Sequence, residues 1–329
     1  MQDSAPTSRR RAARTATLAA LAATALAALP AAALAAAPAV ETGGASRIGP
    51  QSASLSGTVN PQGKTAVYFF QVGKTKAYGT NTAEVPAGAG GKARKVTSSL
   101  VALSPNTTYH YRIAARNADG TQVGADKAFK TGKQPLGFTL EATPNPVPYG
   151  EPVVLQGVLS GTGNAGRQVA LQQNNFPFTA GFKTVGNPQV TGTTGAFSFP
   201  FTAALINGQY RVITTAGTKV VSSIVTLGVS VKVETKLGAK SIKRNGRIRF
   251  SGKITPAKPG ALYAIQRQDS KGSWITVAGS TSHVGTSSYS TFNTKAKIKK
   301  SGLYRVVVGV ADGLQVSGVG HSKKISIKK

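Results

Sequence analysis

The stretch from Leu103 to Ala115 limits what this chain can fold into more than any other. Leu103, Pro105, Thr107, Tyr109, Tyr111, Ile113 and Ala115 stand on one parity, and mostly small or polar residues stand on the other. A period of two is the repeat of a strand with one buried face, because successive Cβ atoms point to opposite sides of a sheet. Pro105 has no N–H to give to a ladder, so it precedes the strand, which the spacing starts near Thr107. Tyr109, six residues after Leu103, is placed to turn its hydroxyl back onto the entering loop. That is the corner device of a β-sandwich.

The same alternation appears on both sides of this stretch. Ala53, Leu55, Gly57 and Val59 alternate with Ser and Thr, and Asn60-Pro61-Gln62-Gly63 reads as a turn. Val67 to Val72 is nearly continuous in apolar residues, with Tyr68, Phe70 and Val72 as the inner set and Gln71 facing water. Asn117-Ala118-Asp119-Gly120 supplies the glycine that a tight hairpin needs. The pattern Leu103-x-Pro105-x-Thr107-x-Tyr109 resembles the sixth strand of a fibronectin type III domain. The resemblance covers about residues 46–133 and implies a sandwich of two antiparallel sheets. It implies nothing about activity, and no Arg-Gly-Asp triplet is present.

The rest of the chain repeats itself. Gly208-Gln-Tyr210-Arg211-Val212 returns as Gly302-Leu-Tyr304-Arg305-Val306, Gly157 matches Gly252, Leu171-Gln172 matches Ile265-Gln266, and Phe182 matches Trp274. Each copy holds short strand-like runs separated by Gly, Asn and Pro, at sandwich spacing. Both resemble bacterial immunoglobulin-like domains, which implies two further sandwiches at 138–232 and 235–329. The expected fold is therefore all-β: three tandem β-sandwiches, one fibronectin type III-like and two immunoglobulin-like. The 38 glycines beside one Trp and one Met agree with many turns and few long helices. The linkers, Thr131 to Leu136 and Glu234 to Leu237, are short enough to give a jointed rod.

Ahead of the sandwiches, Arg9, Arg10, Arg11 and Arg14 lead into an Ala/Leu run, then Pro30 and Ala33-Leu34-Ala35. This is the order of an export signal in helical form, residues 1–35, with cleavage expected after Ala35. The competing reading is an uncleaved anchor. Whether export is general secretory or twin-arginine stays open. Residues 36–45 read as a disordered linker. After cleavage no stable membrane span would remain, and the mature chain reads as a secreted or surface-held monomer.

Charge is uneven. The 20 Lys/Arg from Lys232 onward face only Glu234, Asp269 and Asp312, leaving +17, whereas the middle repeat has four cations against two carboxylates. Alternation puts Arg247, Arg249 and Lys253 opposite in parity to Ile248, Phe250 and Ile254. Lys295, Lys297 and Lys299 stand likewise opposite Ala296 and Ile298. These six are the candidate polyanion-binding residues, for an anionic cell-wall polymer or polysaccharide. The plain alternative is a solubilising face with lysines guarding strand edges. Nucleic acid is disfavoured, since no groove of interleaved aromatic and basic residues is evident.

Chemistry is hard to place on this chain. It has no cysteine for thiol catalysis and three separated histidines, His110, His283 and His321, with no partners at metal spacing. Paired carboxylates, a Gly-x-Ser-x-Gly elbow and a phosphate loop are also lacking. No catalytic, cofactor or metal residue is assigned. One aromatic loop, Phe176 and Phe178 followed by Phe182, is the candidate sugar-stacking surface; the alternative is packing onto a neighbouring domain. The reading is an exported non-enzymatic adhesion, wall-association or spacer protein. The alternative is a carbohydrate-binding accessory to extracellular polysaccharide degradation.

Overall fold

A computed structural model describes residues 36–328. The segment read as an export signal, residues 1–35, lies outside them. Among the described residues there is no α-helix, and none therefore long and apolar enough to cross a membrane. The strands fold into three sandwiches, each with its own core.

In the first sandwich, Ala39–Ser46, Ala53–Asn60 and Arg94–Leu100 form one sheet. The facing sheet is centred on Ala66–Gly73 paired with Thr108–Asn117. Tyr68, Phe70, Val72, Tyr109, Tyr111 and Ile113 all point into the space between, as their parity requires. The corner forms as expected: Tyr109 Oη accepts the Ser104 N–H at 2.9 Å. Thr131 reinforces it, its hydroxyl donating to Ser104 O at 2.7 Å and accepting from Thr107 N–H at 2.9 Å. The strand order is that of a fibronectin type III-like sandwich.

One expectation is corrected here. The disordered linker expected over residues 36–45 does not form: Ala39–Ser46 is a full strand against Ala53–Asn60. Gly43 and Gly44 suggested a flexible tether. Instead the first of them is a close approach: a Cβ on Gly43 would sit 2.6–2.8 Å from Ser56. Thr42, buried in the core edge, accepts the Ile113 N–H at 3.3 Å, and Tyr111 Oη donates to Gly43 O at 2.9 Å. The pairing shifts register between Thr42 and Ala45. A β-bulge of this kind hides alternation from a reader of sequence.

The other two sandwiches share a second plan. In each, a short early strand leaves its first sheet and pairs in parallel with the last strand of the unit. Val147–Pro148 lies beside Val229–Ser230, and Ser241–Lys243 beside Lys323–Lys328. This is immunoglobulin-like, and it separates both repeats from the first sandwich. The internal repeat holds in detail. Gly157 pairs with Phe197 and Gly252 with Phe292, and a Cβ on either glycine would meet the opposite ring at 2.9 or 2.6 Å. Glycine in a strand interior is costly unless something must pass close by, and here the backbone carbonyl of Thr139 or of Glu234 comes nearer still than the ring.

Glu234 to Leu237 is not a linker. It lies inside Lys232–Leu237, a strand of the last sandwich, and the preceding Val231 already sits in that core at 2% exposure. The chain passes from Ser230, paired in the middle unit, straight into the next core. Alternation of Val231, Val233, Thr235 and Leu237 was the available signal.

Candidate functional site

The last sandwich's first sheet runs in the order Lys232–Leu237, Arg247–Thr255, Ser290–Lys297 and His283–Val284. Its inner face carries Ile248, Phe250, Ile254, Phe292 and Ala296. The outer face is set by the same alternation, and register then decides which cations meet. Arg247 stands directly opposite Lys297, and Arg249 directly opposite Lys295. All four are exposed. Directly opposed residues lie about 5 Å apart at Cα, and successive outward residues on one strand about 6.7 Å. The result is a square of four cations on two strands. Lys236, outward on the neighbouring strand, extends it; sequence reading passed over that residue.

Among the described residues none of these cations has an ion-pair partner. Like charges set directly opposite one another in a sheet are destabilising. Lys295 and Lys297 do guard an edge, because beyond Thr291 their strand pairs only on the side of Arg247–Thr255. Edge protection does not call for arginines opposite them.

Two of the six candidates fall elsewhere. Lys253 is exposed on the same face but toward the middle sandwich. It pairs in register with Glu234, and its ammonium lies 4.2 Å from the Tyr289 ring centroid, so its surroundings are balanced. Lys299 lies past the strand end, in the turn where Ile298 exchanges backbone hydrogen bonds with the Asn245-Gly246 loop. There it joins the exposed Lys243 and Arg244 at the free tip of the sandwich.

The aromatic loop is already engaged. Phe176 and Phe178 meet edge to face, with centroids 5.6 Å apart and planes at 85°, so they do not make one flat platform. Phe176 lies against Gly313 of the last sandwich, where a Cβ would collide with its ring. Phe182 lies beneath the Arg211 guanidinium, 4.1 Å from its centroid. The structure therefore puts Phe176 in an inter-sandwich joint and separates Phe182 from the pair.

His110 Nδ1 is 2.9 Å from Asp126 Oδ2. That hydrogen bond, with a second from Tyr78 and against a small burial penalty, holds the Asp126 carboxyl below its ordinary range. Asp119 is held by Lys64 at 2.6 Å. Among the described residues no group of three or more His, Cys, Asp or Glu is placed to hold a metal ion.

No family model and no curated protein matches the chain. Solved structures similar to it include the FN1–FN3 domains of chicken CNTN1, 13% identical with a TM-score of 0.31, covering 89% of this chain and 100% of that one. A tandem of titin domains is 13% identical with a TM-score of 0.35, covering 88% and 99%. A tetra-tandem repeat from the extending region of a large adhesion protein is 16% identical with a TM-score of 0.26, covering 88% and 74%. At such values they add nothing to the sheet topology, from which the fold is read.

Proposed function

We infer that the chain is an exported, non-enzymatic rod that serves as an adhesion or spacer module at the cell envelope or outside it. In this reading the last sandwich contacts an anionic envelope polymer. Export rests on the arginine-led, Ala/Leu-rich start of the chain. Contact rests on one observation, the square of Arg247, Arg249, Lys295 and Lys297. Its cost in stability is a reason to look for a polyanion that offsets it. A polymer with charges repeating every few ångströms can neutralise all four cations at once and release its own counterions.

The test is co-sedimentation of residues 36–329 with wall fragments bearing poly(glycerol phosphate), at stepped salt. Four neutralised charges give a slope of log affinity against log salt of about −3, by analogy with single-stranded nucleic acid. The variant with all four cations changed to Ser loses most of that slope and at least about tenfold in affinity at low salt. Binding by the variant with an unchanged slope overturns the assignment.

A further inference from the structure

Each of the three sandwiches carries the same three-part cluster on the outer face of its second sheet. An arginine follows a core tyrosine: Tyr111-Arg112, Tyr210-Arg211 and Tyr304-Arg305. Its register partner on the adjacent strand is a glutamine, Gln71, Gln172 or Gln266. In every case the arginine Nε donates to the glutamine Oε1, at 2.7, 2.9 and 3.0 Å. Each guanidinium also lies over an aromatic ring from the segment that follows the glutamine strand. Tyr78 is 4.7 Å away, Phe182 4.1 Å and Trp274 4.0 Å. The kind of ring changes while arginine and glutamine do not. The cluster also crosses from the fibronectin-like plan to the immunoglobulin-like one.

What the cluster leaves unused points to a ligand. One face of the guanidinium is covered by the ring and Nε is spent on glutamine. The terminal Nη1 and Nη2 of Arg112, Arg211 and Arg305 have no hydrogen-bonded acceptor among the described residues, and none of the three has an ion-pair partner there. The glutamine Nε2 groups of Gln71 and Gln266 are likewise without a partner there, and that of Gln172 has only a 3.5 Å contact to Thr184. All three arginines are half-buried, so their rotamers are held before anything binds. A held guanidinium edge fits a carboxylate through two parallel hydrogen bonds. The amide beside it can donate to a neighbouring hydroxyl, and the ring margin offers apolar surface to a sugar's C–H face.

We propose that these clusters are three similar binding sites for uronic-acid units, the first differing in the Asp126 carboxylate bonded to its Tyr78 hydroxyl, so that one acidic polysaccharide is gripped by several sandwiches in succession. Each site alone is weak. Linking them raises the apparent affinity for a long polymer by about 10²-fold or more, provided the chain spans two sites. The sites are separate from the cationic square in place and in chemistry: they need a planar carboxylate, whereas the square responds to charge density alone. Either can fail without the other.

The probes are a galacturonic acid trimer and polygalacturonate, with fully methyl-esterified polymer as the uncharged control. Titration of the trimer into the intact mature chain should shift the Nε–Hε resonances of Arg112, Arg211 and Arg305, and should do so equally when the four cations of the square are Ser. The variant R112K/R211K/R305K keeps net charge but loses the fork, and its retention by polygalacturonate should fall at least tenfold. The methyl-esterified polymer should bind neither protein. Absence of resonance shifts at millimolar trimer overturns the proposal even if the triple variant folds poorly. So does equal binding of the esterified polymer, or unchanged retention of a folded triple variant.

Discussion

The two joints between the sandwiches are built differently. Between the first and middle sandwiches, Gly132 is still bonded to the first unit through Gly49 O, at 3.0 Å. Gln134 is already pinned to Thr162 of the second, its N–H donating to the hydroxyl at 2.9 Å and its carbonyl accepting at 3.0 Å. Among the described residues no hydrogen bond crosses from the first unit into the body of the second. Between the middle and last sandwiches the chain never leaves a strand environment. A loop of the last unit, Val310 to Val316, reaches back into the middle one. Asn207 donates to Gly313 O at 2.8 Å and accepts the Val229 N–H at 2.7 Å. Gln315 donates to Leu205 O at 2.6 Å, Val316 N–H to Val229 O at 2.8 Å, and Val231 N–H to Val316 O at 3.1 Å. Lys232 pairs with Glu151 on the surface at 2.8 Å. The lesson is that a short connection does not set stiffness. At the first joint only Lys133 stands between one unit's last bonded residue and the next unit's first, whereas the second joint is a shared piece of structure.

The sharpest way to break this contrast is one four-residue Gly/Ser insertion placed at each joint in turn. Between Ser230 and Val231 it separates the bonded loop from its seat. The middle and last units should then melt as two transitions, with about 3–5 kcal/mol of coupling lost at about 1 kcal/mol for each bond. After Lys133 the same insertion should shift no melting midpoint measurably, since loop length alone costs only about 0.6 kcal/mol per doubling. Calorimetry that finds both insertions equally silent removes the distinction.

A smaller change should sharpen it. Asn207→Ala leaves the buried Val229 N–H and the Gly313 carbonyl without their partner. It should cost about 2 kcal/mol in urea unfolding of the middle–last pair, with no change in the first sandwich.

The smallest effect is acid sensitivity of the second joint. Asp312 is partly withdrawn from water, which alone would raise its pKa. The hydrogen bond and charge of Lys258 and the N–H groups of Leu314 and Gln315 outweigh that and lower it below 3.8. A lowered folded-state pKa means the stabilisation is complete above the unfolded value and is lost as pH falls through the folded one. Because the carboxylate is 41% exposed, the effect should stay under about 1 kcal/mol. Melting of wild type and Asp312→Asn should differ at pH 6 and converge toward pH 2.

Much of this was readable in the residues. The Leu103–Ala115 parity places Tyr109, Tyr111 and Ile113 inside, and the corner bond to Ser104 follows from the spacing. The repeat was equally legible, down to Gly157 and Gly252. What escaped was structure with broken periodicity. The bulge at Thr42/Ala45 made a strand look like a tether. Packing of the Phe176 loop onto a neighbouring domain is one of the two readings the sequence allows, but nothing local says that Gly313 is the residue it meets. Of the six candidate cations, four meet and two do not. The glutamine–arginine–aromatic cluster was half visible, as Phe182 matching Trp274; its third copy in the first sandwich was hidden by a different strand plan.

The residue order by itself determined the sheets and which side chains face water, because a two-residue period leaves each side chain only one of two faces. It could not determine which outward residues become neighbours. Arg247 and Lys297 are fifty positions apart, and their meeting depends on the register in which two strands settle against a common core. The joint is of the same kind: Asn207 and Gly313 come together only once both sandwiches have closed and the last one's loop has found its seat. Periodicity is a local property and register is a global one, and the candidate sites of this protein are made by register.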